Sequence, residues 1–172
     1  MGFQTTVSGD LKSGVIGEIS HDSPMRAVPA VLDSGAGAAN NVVGRFFTYI
    51  DEAAETVQAG GTVGAANAMA GILILPKTHA LRGTTVGGTL ADSLLLPDGT
   101  PADFLQKGEI FVSLATTGAT IGAAVKYNTT TGVLDHGAPG AGEAVVPNAV
   151  VARHNASPTD TAAFLAVISL NN

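Results

Sequence analysis

The chain has 172 residues, of which 45% are hydrophobic and only 13% are charged, a composition typical of one folded globular domain and not of a disordered chain. It contains no cysteine, which excludes disulfides and thiolate metal sites. Its formal net charge of -6 opposes the phosphate neutralisation on which nucleic-acid binding depends, so we expect no direct contact with nucleic acid.

Two further features of the sequence concern membranes and export. The longest apolar stretch, Val63–Pro76, is too short for a helix that must cross the roughly 30 Å hydrocarbon core of a bilayer. The N-terminal segment Met1–Asp10 has neither the basic region nor the apolar region of a secretory signal. We therefore expect a soluble protein that has no membrane partner and is not exported from the cytoplasm in which it is made.

Short runs of β-branched and aromatic residues recur between Gly and Pro turn residues along most of the chain. This pattern predicts a mainly β fold, a compact β-barrel or sandwich-like domain with long loops and an N-terminal arm. Residues 1–10 are the predicted arm, and residues 11–172 are a single β-rich domain. The predicted strands, in chain order, are Val15–Ser20, Asn41–Ile50, Ala70–Leu75, Thr84–Leu90, Glu109–Ala115, Thr120–Tyr127, Gly132–Asp135, Ala144–Arg153 and Ala162–Leu170.

Local signals between the strands predict one short helix, a hairpin and two long loops. Asp51–Ala59 combines helix-forming Ala and Glu with acidic residues at its start, which favours a short helix. The strand-like runs around residues 128–132 predict a hairpin over Ile121–Asp135. The turn-rich segments Ala91–Asp103 and His136–Gly142 are predicted to be surface loops.

Motifs for catalysis or cofactor binding are nearly absent from the sequence. No Gly-Lys pair is present, which excludes a P-loop, and Gly60–Gly64 lacks the spacing of a dinucleotide-binding turn. A G-x-S-x-G nucleophile elbow is also missing. The histidines lack the spacing of a local metal site; they are His21, His79, His136 and His154. We therefore predict no catalytic residue, no cofactor and no metal.

One short motif leaves a catalytic alternative open. Asp33-Ser34-Gly35-Ala36 follows the apolar run Val28–Leu32 and is similar to the D-[ST]-G-A loop of aspartic proteases. Those enzymes need two carboxylates that share a proton, and a homodimer of this chain would supply the second one. The competing interpretation is an ordinary Asp-Ser-Gly turn.

Six longer segments of the chain are similar to segments of one known protein family and occur in the same order. The segments are GFQTTVSGDL, GVIGEISHDSPMRAVPAVLD, NNVVGRFFTY, AGILILPKTHALRG, GGTLADSLLLPDGTPADF and IGAAVKYNTTTGVL. Together they resemble the small capsid cement, or head decoration, proteins of tailed bacteriophages. The chain departs from that family's pattern at Leu75, where members tend to carry Asn, and at Ala123, where they tend to carry an acidic residue.

The resemblance implies a non-enzymatic virion protein. Such a protein binds the outer surface of a shell built from HK97-type major capsid protein and bridges neighbouring capsomers. The implied partners are that capsid protein and further copies of this chain, with a homotrimer favoured over a dimer. Two alternatives stay open at this point. One is another virion component, such as a head–tail joining protein or a spike, and the other is a dimeric aspartic protease that uses Asp33.

The predicted arm is the candidate contact region. We expect Phe3 and Val7 to anchor in apolar grooves of the shell protein or a sister subunit, since apolar side chains near a free terminus have little of their own fold to bury against. The candidate contact residues are Gly2, Phe3, Gln4, Thr5, Thr6 and Val7. The competing interpretation is an edge strand of the chain's own barrel.

Overall fold

The computed structural model describes residues 14–20, 24–64, 67–76, 95–154 and 164–171. These residues form a continuous 9-stranded sheet and one 3-10 helix, so the mainly β prediction is confirmed. The elements are β1 (Arg26–Leu32), the 3-10 helix (Gly35–Asn40), β2 (Phe46–Asp51), β3 (Thr56–Ala59), β4 (Met69–Leu73), β5 (Pro101–Leu114), β6 (Ala124–Asn128), β7 (Leu134–His136), β8 (Glu143–His154) and β9 (Phe164–Asn171).

The first half of the sheet closes into a barrel. Its strands follow the order β1-β3-β2-β4-β5, and the antiparallel pairing of β1 with β5 completes the circle. In that closing ladder Ala27 lies opposite Leu105 and Val31 lies opposite Pro101. We call this unit the first barrel. Closure pairs strands that would otherwise be edges open to uncontrolled association.

Strand β5 continues from the first barrel into a second group of strands. At 14 residues it spans about 46 Å, because a strand rises about 3.3 Å per residue. Its second half pairs along its length with β9, from Lys107 opposite Asn171 to Leu114 opposite Phe164. The order β5-β7-β6-β8-β9 begins with one parallel pair between β5 and β7, Leu114 with Leu134, and the β9 ladder returns it to β5. We call this unit the second ring.

Strand β2 separates two hydrophobic cores. Successive side chains of a strand point to opposite faces, so Phe46 enters the core of the second ring and Phe47 enters that of the first barrel. Both side chains are completely buried. The Phe46 ring lies 4.1 Å from the Tyr127 ring, and the Phe47 ring lies 5.1 Å from the Phe104 ring, centroid to centroid. One wall therefore supports both cores.

Strands β4 and β5 continue this wall. Ile72 and Leu105 pack in the core of the second ring, whereas Leu73 and Phe104 pack in the core of the first barrel. The crossing of β4 and β5 is tight at Gly71, where φ is 130° and a Cβ atom would overlap the backbone oxygen of Leu105. Glycine is required there because other residues rarely adopt such a φ.

The predicted strand Val15–Ser20 is wrong. This segment makes one isolated bridge, Ile19 with Ile110, and turns at Gly17 instead of extending a ladder. Its role is to cover the outer face of β5, where Ile16 packs on a small cluster of buried side chains, Phe111, Leu165 and Val167. The segment therefore contributes apolar packing against β5 and forms no strand of its own.

The predicted helix Asp51–Ala59 is also wrong. The Asp51 carboxylate accepts hydrogen bonds from the N–H groups of Ala53 and Ala54, which forms a tight turn, and Glu55 follows with φ of 54°. Strand β3 then pairs antiparallel with β2 and buries Val57. Tertiary pairing of β-branched residues overrides the helix propensity of Ala and Glu.

Other predictions differ in boundaries. The hairpin is confirmed as β6 and β7, and strands β4, β8 and β9 lie close to their predicted positions. The predicted strand Asn41–Ile50 begins too early, and the predicted loop Ala91–Asp103 includes the start of β5. Strand β1 was not among the predicted strands. The predicted strand Thr84–Leu90 lies outside the described residues.

Candidate functional site

The predicted contact residues of the arm lie outside the described residues, as does the rest of the segment that precedes Gly14. Within the described ranges, no group of three or more His, Asp or Glu side chains is arranged to hold a metal ion. No helix in that same part of the chain is long and apolar enough to span a bilayer. Two polar clusters, a strip of exposed apolar side chains and a cleft are the candidate sites among the described residues.

The Asp-Ser-Gly motif lies in a loop held by Asp98. The Asp98 carboxylate accepts hydrogen bonds from the backbone N–H groups of Ser34 and Gly35, both at 2.9 Å, and from the side-chain amide of Asn41 at 2.6 Å. The Ser34 hydroxyl donates a hydrogen bond to the side-chain oxygen of the fully buried Asn41 at 2.5 Å. It accepts a hydrogen bond from the Ala59 N–H at 3.1 Å. These contacts link the loop to two other parts of the first barrel.

The electrostatics of this loop favour an ionised carboxylate. Desolvation raises the pKa of Asp98, but the hydrogen bonds from Ser34, Asn41 and Gly35 lower it by more, so the net pKa lies below the usual range. Asp33 itself is exposed, and its backbone N–H donates to the Val57 carbonyl. The arrangement fixes a turn, and its hydrogen bonds are accepted by the Asp98 carboxylate.

A second polar cluster crosses β6, β7 and β8. The Lys126 ammonium group lies 2.9 Å from a carboxylate oxygen of Glu143 and 3.8 Å from one of Asp135. Asp135 also accepts hydrogen bonds from the Thr116 hydroxyl at 2.6 Å and the His136 N–H at 2.9 Å. The cluster joins three strands of the second ring to the loop that follows β5.

The pKa values in this cluster follow from the contacts. Desolvation raises the pKa of Asp135. Hydrogen bonds from Thr116 and His136 and the charge of Lys126 lower it by a larger amount, so the net pKa is below the ordinary value. The hydrogen bond to Glu143 raises the pKa of Lys126, and the same bond lowers that of Glu143. All three groups are therefore stabilised in their charged forms at neutral pH.

The outer face of β6 and β8 carries exposed apolar side chains. Ile121 is 69% exposed, Val145 is 45% exposed and Val150 is 36% exposed. Val150 pairs with the exposed Ala124, and the hydrogen bond from Gly122 N–H to the Val151 carbonyl places Ile121 beside the same part of β8. We call Ile121, Ala124, Val145 and Val150 the β6–β8 strip. Lys126, opposite Val145, gives the strip a charged margin.

A cleft lies where the first barrel meets the second ring. Its volume is about 180 Å³, and its lining is mainly aliphatic, with Ile16, Val42, Leu114, Ala115, Val133 and Leu134 among the lining residues. The charged lining residue is Arg45, in the turn before β2. One Arg45 guanidinium nitrogen, Nη1, donates to the Asn40 side-chain oxygen at 2.7 Å and to the Thr131 carbonyl at 3.2 Å.

Comparison with known proteins agrees with the resemblance seen in the sequence. The model of the structural cement protein family (E217 gp24/Pam3 gp6) matches residues 3–171, and the chain belongs to this family of phage structural proteins. A solved structure described as the capsid of Myoviridae phage XM1 contains a chain with the same fold. The TM-score is 0.66 and the identity 16%, over 100% of this chain and 99% of that one. No curated protein matches.

Sequence reasoning missed the β6–β8 strip, Asp98 and Arg45. A signal for the strip was present, because Val145-Val146 and Val150-Val151 are adjacent valines in a strand, and one of each pair must face outwards. The burial of Val146 and Val151 shows which ones face the core. Asp98 and Arg45 acquire their partners from distant parts of the chain, so no local pattern identifies them.

Proposed function

We propose that this protein is a capsid cement, or decoration, protein that binds the outer surface of an HK97-type phage shell and bridges neighbouring capsomers. The observation that carries the proposal is the family match over residues 3–171. The virion is then its place of action, after synthesis in the host cytoplasm. A net charge of -6 supports protein partners over direct contact with nucleic acid.

The β6–β8 strip supports a protein-binding role. Its exposed aliphatic side chains lie on a rigid sheet, so covering them removes apolar surface from water at little cost in conformational entropy. The flanking Lys126 and Glu143 pair with each other and form a polar margin, as at the rim of many interfaces.

Shell stabilisation follows from binding that is selective for the assembled state. A protein that binds the closed lattice more tightly than free capsid subunits shifts the equilibrium towards the lattice by mass action. Many modest contacts, one set per copy, add up across the seams between capsomers. A homotrimer at the threefold positions would present each strip and each arm in a repeated geometry, with a dimer at twofold positions as the competing arrangement.

The first test makes the strip more polar while its three substituted side chains stay β-branched. In the triple variant Ile121→Thr, Val145→Thr, Val150→Thr, we expect the dissociation constant for particles that lack this protein to rise by at least about tenfold. The matched control is Ile50→Thr, which alters another exposed strand residue, 45% exposed, and should bind normally. Cosedimentation measures both. Normal binding by the folded triple variant would exclude the strip as the contact.

The second test concerns the arm. Deletion of residues 2–8 should leave the fold intact and abolish binding to particles, because Phe3 and Val7 are its proposed anchors. Circular dichroism checks the fold, and cosedimentation checks the binding. Unchanged binding would reject the arm as a contact and favour its interpretation as an edge strand.

The third test measures copy number. Quantitative mass spectrometry of purified full particles gives the molar ratio of this chain to the major capsid protein. A ratio near one, or a simple fraction such as one-third, is expected for a protein that covers the lattice. A ratio of a few hundredths would instead assign it to a vertex or the tail, and absence from particles would overturn the proposal.

A further inference from the structure

The cleft between the first barrel and the second ring has the size of a side-chain pocket. Its volume of about 180 Å³ is similar to that of apolar cavities of about 150 Å³ that take up benzene-sized molecules. Ala115 lines it and is exposed, whereas the lining residues Leu114 and Leu134 belong to the buried core. The cleft therefore joins the surface to the rigid wall of the second ring, and one aliphatic or aromatic side chain fits its volume.

Arg45 supplies a positive charge beside this apolar space. Its two oxygen partners, Asn40 and Thr131, each precede a lining residue by two positions, so the guanidinium lies at the margin of the cleft. Neither partner is charged. No carboxylate among the described residues forms a salt bridge with Arg45, and its Nη2 and Nε groups donate to none of those residues. Burial lowers the pKa of the guanidinium, yet arginine stays protonated.

Arg45 is thus a half-buried cation whose charge no carboxylate of the described residues balances. Arginine binds carboxylates through parallel hydrogen bonds, and such charge-assisted bonds are about twice as strong as neutral ones. A phosphate would satisfy the charge but not the aliphatic lining next to it. An acidic residue beside an apolar one on a protein chain satisfies both features.

We propose that this cleft receives a segment of the shell protein in which an Asp or Glu binds Arg45 and a neighbouring aliphatic or aromatic side chain fills the space next to Ala115. The proposal rests on the proposed function and names the chemistry of the partner. The acid also makes the contact specific, because a shell surface without it would cover Arg45 without supplying a carboxylate for its charge.

The first experiment compares Arg45→Gln with Arg26→Gln in binding to particles that lack this protein. Arg26 is an exposed arginine of β1 and serves as the matched control. We expect Arg45→Gln to weaken binding by at least about tenfold, since a charged hydrogen bond is lost, and Arg26→Gln to bind normally. Equal binding by all three proteins overturns the inference and leaves the proposed function standing. Failure of the wild-type protein to bind overturns both.

A second variant leaves Arg45 and its hydrogen bonds in place. Ala115→Leu fills the cleft from its exposed side, and Ala141→Leu makes the same change in an exposed loop of the second ring. We expect Ala115→Leu to lose binding to the particles while its melting temperature stays unchanged. We expect Ala141→Leu to bind normally. If Ala115→Leu binds normally, Arg45 serves only to join its two loops, and the inference is overturned.

The source of the carboxylate is identified by a zero-length crosslink. In Arg45→Lys, the new amine should couple through a carbodiimide to the adjacent carboxylate on saturated particles. Mass spectrometry of the linked peptides should then show Lys at position 45 joined to an Asp or Glu of the shell protein. A link to a second copy of this chain, a link to residues 1–13 of the same chain, or no link would each overturn the inference.

Discussion

At the scale of single residues, Gly71 is a position where no other residue fits. Its φ of 130° and the nearby Leu105 oxygen both exclude a side chain. Gly71→Ala should lower the free energy of unfolding by about 2 to 4 kcal/mol, as strain and overpacking add. Urea denaturation measures the loss. The control is Gly64→Ala, where a Cβ atom meets nothing within 4 Å, and a similar loss in both variants would contradict the argument.

Asp135 makes the stability depend on pH. Its pKa is lower in the folded protein than the ordinary value of about 3.9, so the folded state binds fewer protons than the unfolded chain when the pH falls through this range. The stabilisation is complete above the ordinary pKa and is lost as the pH falls through the folded-state pKa. Below about pH 5, the free energy of unfolding should therefore decrease more steeply in the wild-type protein than in Asp135→Asn.

Chemical denaturation at a series of pH values measures this difference. The exposed Glu52→Gln is the control and should retain the wild-type slope. Parallel curves for the wild-type protein and Asp135→Asn would show that the contacts of Asp135 with Thr116 and Lys126 contribute no acid-dependent stability.

At the scale of elements, the wall formed by β2, β4 and β5 couples the two cores. Phe47 belongs to the first barrel, yet its strand also carries Phe46 into the second ring. Phe47→Ala should therefore destabilise both halves together, by about 3 to 5 kcal/mol. Hydrogen exchange at Ile168, in β9 of the second ring, measures the coupling. Full protection at Ile168 while the first barrel opens would show that the halves unfold separately.

The elements also show where sequence patterns succeed and fail. The hairpin of β6 and β7 is formed by residues that are close together in the chain. Its turn residues and the strand-like runs on either side are visible in one short segment, so the sequence predicts it. Strand β1 depends on β5, with Ala30 opposite Ala102 far along the chain. Residues 51–59 have helix propensity, but pairing with β2 selects a turn and a strand.

At the scale of the whole molecule, the oligomeric state is the next property to measure. The proposed homotrimer should sediment at equilibrium with three times the 17.1 kDa mass of the chain, and deletion of residues 2–8 should lower that mass if the arm binds a sister subunit. A wild-type protein of twice the chain mass would favour twofold positions on the shell, and one at the chain mass would leave any association to the lattice itself.

The sequence by itself determined the class of the fold and the family, because strand periodicity, turn residues and the order of long segments are written along the chain. Only the tertiary structure decided that β5 serves two units, that adjacent phenylalanines enter separate cores, and that Asp98 holds the Ser34 loop. The tertiary structure alone also decided the exposure of the β6–β8 strip and the surroundings of Arg45. These features depend on contacts between residues far apart in the chain, which local propensity does not encode.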